Sequence, residues 1–298
     1  MKKKPIFTGC ATALITPFSG DEIDYRALGR LIDIQVAAGI GCLVIGGTTG
    51  EAACLGESER TSLYSFARER TAGRCTLVLG TGSCDTERAV RYTKMAARVG
   101  ADGALCVVPY YNRGTREGVV LHYRRIAEAA DIPILLYNVP ARTGHSLPLE
   151  SIAELAECEG IAGIKEAAGS AERLAAIAAL GDAMPLYAGN DAEIFTVMAL
   201  GGLGAVSVAS NALPRALVRL CALCECGRWS EARAIQSELL PFISALFEDT
   251  NPAPIKALMH TRGLCSSEIR LPLSEASQEL TAKLSELYGA LLQLECEG

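Results

Sequence analysis

No uninterrupted apolar run in the sequence approaches the roughly 18 residues that a membrane-spanning helix requires, so a membrane partner is not expected. Excess positive charge is missing as well: 28 Lys and Arg stand against 34 Asp and Glu, a formal net charge of −6. Binding through nucleic-acid phosphates needs a basic face, and the mixed charges here read as an ordinary solvated surface, which leaves small molecules as the expected partners. The glycine-rich dinucleotide fingerprint that would follow the first strand of a doubly wound sheet is also absent. A disulfide framework is absent too, although 12 cysteines are present. They are scattered from Cys10 to Cys296, many inside apolar runs such as "GCLVIGG" and "ALCVVP", where a thiol packs as a small hydrophobe. A reducing, cytoplasmic compartment fits this usage. The cluster "CALCEC", Cys221 to Cys226, falls in a helical pattern and has no second ligand pair at a metal-binding spacing, so no metal site is expected there.

The chain has 298 residues, half of them hydrophobic, with 29 glycines, enough to bury a large core. Its amino-terminal "MKKKPIFTGCATALITPF" places lysines before an apolar segment, as a secretory leader does. Threonines, glycine and proline interrupt that segment and no small-residue cleavage site follows, so it reads as a first strand. Eight short apolar runs then recur: "GCATALITPF", "GCLVIGGTTG", "CTLVLGTG", "GALCVVPYYN", "IPILLYNVP", "IAGIKEA", "PLYAGND" and "GAVSVASN". Segments of helical spacing lie between them, for example "DYRALGRLIDIQVAAG", opening near Asp or Ser and several closing on Gly. Strand then helix, eight times over, predicts an α/β fold of the (β/α)₈ barrel class across residues 1–226. Beyond Cys226 the strand signal stops, and residues 227–298 read as a helical carboxy-terminal region.

In such a barrel the chemistry collects at the carboxyl ends of the strands. The sixth run ends in "GIKEAAG", which puts Lys165 where an interior-bound chain would normally carry an aliphatic residue. It could snorkel out of the barrel or pair with Glu166. Alternatively, desolvation favours the neutral, nucleophilic form of an amine, and the lysine would form a Schiff base with a carbonyl. Other strand ends supply Thr48 and Thr49 in "GGTTGE", Tyr110 and Tyr111 in "PYYN", and Tyr137 and Arg142 in "YNVPARTG". Singly each has a structural explanation, as turn residue, rim contact, barrel-layer aromatic or surface cation. Jointly they converge on the face that carries the lysine.

"GTTGE", "PYYN", "YNVPARTG" and "GIKEA" occur in this order, and the chain resembles, over essentially its whole length, the dihydrodipicolinate synthase and N-acetylneuraminate lyase superfamily. The second threonine of "GGTTGE" and the arginine of "ARTG" are similar to the synthase branch rather than the sialic-acid lyases. The resemblance implies that Lys165 forms an imine with pyruvate, with no metal or organic cofactor, and that the resulting enamine condenses with L-aspartate 4-semialdehyde to give 4-hydroxy-tetrahydrodipicolinate. This is the first committed step of lysine and diaminopimelate biosynthesis. It implies further that Tyr137 shuttles protons through Thr49 and Tyr111, that Thr48 and Thr49 hold the pyruvate carboxylate, and that Arg142 grips the semialdehyde carboxylate. Gly189 and Val206 match pocket-lining positions.

By the same resemblance Tyr111 enters the site from a neighbouring subunit, a dimer is the smallest complete unit and a homotetramer, a dimer of dimers, is the usual assembly. Glu51 would either orient its turn or pair with a neighbouring subunit. Members that bind lysine at the dimer interface carry a histidine or similar group, an Asn and a Glu where this chain has Arg60, Cys84 and Arg88, so weak or absent lysine inhibition is expected. A sister aldolase or dehydratase acting on N-acetylneuraminate or a 2-keto-3-deoxy sugar acid would keep Lys165 and Tyr137, and Arg142 argues against it.

Overall fold

The structure is a computed structural model that describes residues 2–296. Eight strands, β1 (Gly9–Ala13), β2 (Cys42–Ile45), β3 (Thr76–Gly80), β4 (Gly103–Val107), β5 (Ile134–Asn138), β6 (Ile161–Glu166), β7 (Leu186–Ala188) and β8 (Gly204–Ser207), close into one barrel. All the ladders are parallel, and closure is visible at Ala11, which pairs with Cys42 on one side and Val206 on the other. Parallel neighbours need long crossovers. Helices supply them: α1 (Tyr25–Ala37), α2 (Glu57–Thr71), α3 (Thr86–Arg98), α4 (Arg116–Ala129), α5 (Leu149–Ala156), α6 (Ala171–Ala178), α7 (Ile194–Ala199) and α8 (Pro214–Glu225). The acidic openings anticipated from sequence act as caps, with Asp24 accepting from the Ala27 N–H and Asp85 from the Arg88 N–H. No helix among the described residues is long and apolar enough to cross a membrane.

The first apolar run contributes less strand than it contains. After Ala13 the Leu14 N–H still reaches Val44, but Pro17 has no N–H to give. Phe18–Ser19 and Glu22–Ile23 instead form a small antiparallel hairpin, with the Phe18 ring buried.

Alternation divides each strand between two cores. On β5, Leu135 and Tyr137 join an inner layer with Val44, Val78, Leu105, Tyr187 and Val206, while Ile134 and Leu136 face the helices. Strand β6 departs from simple alternation. Ile134 pairs with Ile161 and Leu135 with Gly163, so Ala162 is an extra residue, a β-bulge. Ile161 and Ile164 both face the outer core although three positions apart. The bulge has reversed the strand's parity, and Lys165 therefore lies opposite Tyr137 on the inner side. Gly163 permits it: its φ is 155°, and a Cβ there would stand 2.6 Å from the Pro185 carbonyl oxygen.

Over residues 227–296 the regular structure is all helix, α9 (Trp229–Leu246), α10 (Ala253–Thr261), α11 (Gln278–Ala290) and α12 (Leu292–Cys296), with irregular chain between α10 and α11. Helix α9 packs along α7 and α8, and α10 and α11 pack on α9. The segment around α10 runs to the carboxyl end of the barrel and touches the turn after β2.

Candidate active site

Lys165 is 5% exposed and Tyr137 6% exposed, and the Lys165 Nζ lies 4.1 Å from the centre of the Tyr137 ring. No direct ion pair among the described residues engages that ammonium nitrogen, but the buried Asp191 carboxylate is near enough to interact with it electrostatically. Pairing with Glu166 does not occur, because the next residue along a strand points the other way. Glu166 is buried outside the barrel, accepting from Asn138 Nδ2 and, at 2.9 Å, from Arg173 Nε. Burial raises its carboxyl above the usual range, against the pull of Arg173.

A second buried lysine shows what an ordinary solution looks like. Lys256, on α10, is fully buried and donates to Glu51 Oε1 at 2.5 Å and to the Glu268 carbonyl. Burial lowers its affinity for a proton, which the Glu51 carboxylate opposes. One buried lysine thus has a carboxylate in direct contact, whereas the other has the Asp191 carboxylate only at longer range.

Glu51 is bonded within its own chain. It has a left-handed φ of 55° in the turn after β2, and its second oxygen accepts from the Arg270 N–H. It orients the turn from within the chain. That turn closes through Glu51 N–H to Thr48 O and Ala52 N–H to Gly47 O. It places Thr49 at 3% exposure, with its Oγ1 accepting from Asn251 Nδ2 at 3.0 Å.

A cavity of about 500 Å³ opens over the barrel and is lined by Thr49, Tyr137, Arg142, Lys165, Gly189 and Asn251, among others. Arg142 sits exposed on the single helical turn Pro140–Thr143, its Nη2 donating to the Asn251 carbonyl at 2.9 Å. Gly189 approaches β6 so closely that a Cβ would meet the Glu166 carbonyl and the Ala167 Cβ at 2.7 Å. Thr48 lines an adjoining cleft of about 390 Å³, which shares Tyr137 and Arg142 with the first cavity.

Two further expected residues lie outside the cavity linings of this single chain. Val206 lies in the inner layer of the barrel, and the residue of that strand end that lines the cavity is Val208, two positions on. Tyr111 is 92% exposed with a left-handed φ of 67° and lines neither cavity. Two residues of the site went unanticipated. Asn251 lies in a segment read only as helix. Asp191, in "YAGND", is buried and accepts from the Val208 and Ala209 N–H groups, fixing the turn after β8. Burial raises its carboxyl above the usual range.

Metal binding finds no obvious ligand set: among the described residues no group of three or more His, Cys, Asp or Glu is placed to hold an ion. The cysteines of "CALCEC" lie on α8 and just past it, Cys221 and Cys224 buried and Cys226 exposed.

A closed parallel barrel with a buried amine at the carboxyl ends of its strands defines a (β/α)₈ enzyme. The sequence pattern of the Dihydrodipicolinate synthetase family matches residues 6–291. The 4-hydroxy-tetrahydrodipicolinate synthase of Aquifex aeolicus is 41% identical over 284 residues, covering 95% of this chain and 97% of that one. The enzyme of that name from Exiguobacterium sibiricum is 42% identical over 283 residues, covering 94% and 97%. The crystal structure of dihydrodipicolinate synthase from Aquifex aeolicus superposes with a TM-score of 0.94 at 40% identity, covering 98% of this chain and all of that one. The chain belongs to the dihydrodipicolinate synthetase family.

Proposed function

We propose that this enzyme condenses pyruvate with L-aspartate 4-semialdehyde to give 4-hydroxy-tetrahydrodipicolinate, as the names of its relatives indicate, and that it does so through an imine on Lys165. The observation that carries this reading is the Lys165 amine, buried against the Tyr137 ring in the lining of the cavity with no carboxylate in direct contact.

The Lys165 Nζ attacks the ketone carbon of pyruvate, and loss of water leaves the imine. Its positive nitrogen acidifies the methyl group, so loss of a proton gives an enamine whose carbon attacks the aldehyde. The amino group of the semialdehyde then displaces Lys165, closing the ring and freeing the enzyme. Each step moves a proton, and a phenol alone is a poor base at neutral pH. Tyr137 therefore works with the hydroxyl of Thr49, and with Tyr111 supplied by a neighbouring subunit. The exposure of Tyr111 on this chain supports that last assignment. The Thr48–Thr49 turn holds the pyruvate carboxylate, and Arg142 at the rim grips that of the semialdehyde, a planar cation suited to bidentate contact. The reaction opens lysine and diaminopimelate biosynthesis in the cytoplasm, needs no metal or organic cofactor, and is carried by a homotetramer built as a dimer of dimers.

Pyruvate consumption by purified protein tests this, with L-aspartate 4-semialdehyde in one arm and N-acetylneuraminate or a 2-keto-3-deoxy sugar acid in others. Turnover with the semialdehyde, lost in Lys165→Ala together with the borohydride-trapped pyruvate adduct, is the expected result. Activity on a sugar acid alone would keep the imine and overturn the role of Arg142.

A further inference from the structure

Asn251 belongs to the carboxy-terminal helical region, yet it holds both halves of the site. Its side-chain amide donates to Thr49 Oγ1 at 3.0 Å, across 202 positions of sequence. Its main-chain carbonyl accepts from Arg142 Nη2 at 2.9 Å. The residue is 5% exposed, lines both the cavity over Lys165 and the adjoining cleft, and its Oδ1 is buried without a partner among the described residues.

An amide NH₂ can only donate, whereas a hydroxyl can do both. Once Thr49 Oγ1 accepts from Asn251, its single hydrogen is free to be given elsewhere. The hydroxyl is then biased to act as a donor on its other side, toward the cavity that Thr49 shares with Tyr137 and Lys165. We infer that Asn251 is a positioning residue that sets the direction of the Thr49 hydroxyl for proton transfer, while its backbone independently seats Arg142 for the second substrate. The inference rests on the proposed imine chemistry and adds to it a part played by the carboxy-terminal region.

The two functions of Asn251 separate in kinetics, since replacing the side chain leaves the carbonyl that holds Arg142. In Asn251→Ala, kcat is expected to fall about 100-fold, the scale at which a misdirected group costs catalysis. The KM for the semialdehyde should stay within about twofold, because the binding of that substrate does not depend on the lost amide. In a Thr49→Val background the same change should cost nothing further, since Asn251 acts through a hydroxyl no longer there. Asn251→Asp is nearly isosteric and supplies a second reading. Ionised, it accepts where the amide donated and reverses the Thr49 hydroxyl. Protonated, it can donate again, so its activity relative to Asn251→Ala should recover as the pH is lowered.

Thermal melts show whether each variant is folded, and the rate of borohydride trapping with pyruvate alone reports on the imine step without the second substrate. Wild-type protein inactive on the semialdehyde would overturn the proposed function, and slower trapping in Asn251→Ala would still uphold the present inference. Wild-type turnover with Asn251→Ala equally fast, or with Asn251 and Thr49 effects simply additive, would overturn the inference alone. Full activity in Asn251→Asp at neutral pH would overturn it too, because it would mean that Thr49 donates to this residue.

Discussion

Lys165 stands opposite Tyr137 across the β5–β6 ladder only because one extra residue, Ala162, enters β6 ahead of it. Regular alternation from Ile161 would have turned the lysine out toward the helices. The bulge depends on Gly163, whose missing Cβ leaves room for the Pro185 carbonyl. Gly163→Ala is therefore expected to lower stability by about 2 kcal/mol or more and to reduce kcat at least about tenfold through the displaced amine. Denaturant melts and steady-state rates check this against Gly289→Ala, a site on α11 where a Cβ meets nothing. That control should be neutral or slightly stabilising.

The buried Lys256–Glu51 pair invites a double-mutant cycle. Removing one member strands a charge that the interior cannot solvate, so Lys256→Met or Glu51→Gln alone should cost about 3–5 kcal/mol. The double variant should lose clearly less than the sum, because no buried charge is left uncompensated. Urea denaturation of the four proteins measures the coupling, and additive losses would mean that the pair contributes nothing specific.

His122, on α4, is a pH-dependent liability. Its Nδ1 lies 2.9 Å from the Thr86 hydroxyl, its Nε2 is buried without a partner among the described residues, and the ring meets Tyr123 edge-on. Burial pushes it down from 6.5 to about 4, although Asp85 pulls the other way. The unfolded chain therefore binds this proton more readily than the folded one. Stability is intact above pH 6.5 and is lost as the pH falls toward 4, by about 3 kcal/mol from this residue at the lower end. His122→Phe should flatten that part of the stability-versus-pH curve whatever it does at neutral pH, as urea melts at several pH values would show.

L-Lysine should inhibit weakly or not at all. The cleft beside the catalytic cavity is lined by Arg60 and Arg88, and Glu51, its acidic member, is taken up by Lys256. The Arg60 guanidinium is fixed in place, donating to the Gly80 and Ala52 carbonyls and to Tyr64 while lying over the Tyr92 ring. A cationic amino acid meets repulsion there. Half-maximal inhibition at sub-millimolar lysine in the pyruvate assay would contradict this.

The barrel was legible because eight apolar runs and their intervening amphipathic helices follow from local periodicity. Lys165 was legible because a charge at the end of an apolar strand is conspicuous. Lys256 carries a similar signal in "PAPIKALMH", but a helix offers no strand end to make it conspicuous. The bulge left no mark, because Ala162 and Gly163 are small and fit either face. Val206 matches a pocket-lining position by resemblance, and it lies in the inner layer of the barrel that also holds Tyr137, with Val208 in the cavity lining. Asn251 has no local signature at all: its meaning lies in a hydrogen bond to a residue 202 positions earlier.

That separation bears on the order in which the enzyme is made. Lys165, Tyr137 and Thr49 leave the ribosome well before Asn251, Lys256 and Arg270, the residues that brace the turn and the rim. A nascent barrel would hold its buried Lys165 amine while the threonine turn was still unbraced. The last quarter of the chain thus completes a site whose main chemical groups were synthesised long before it.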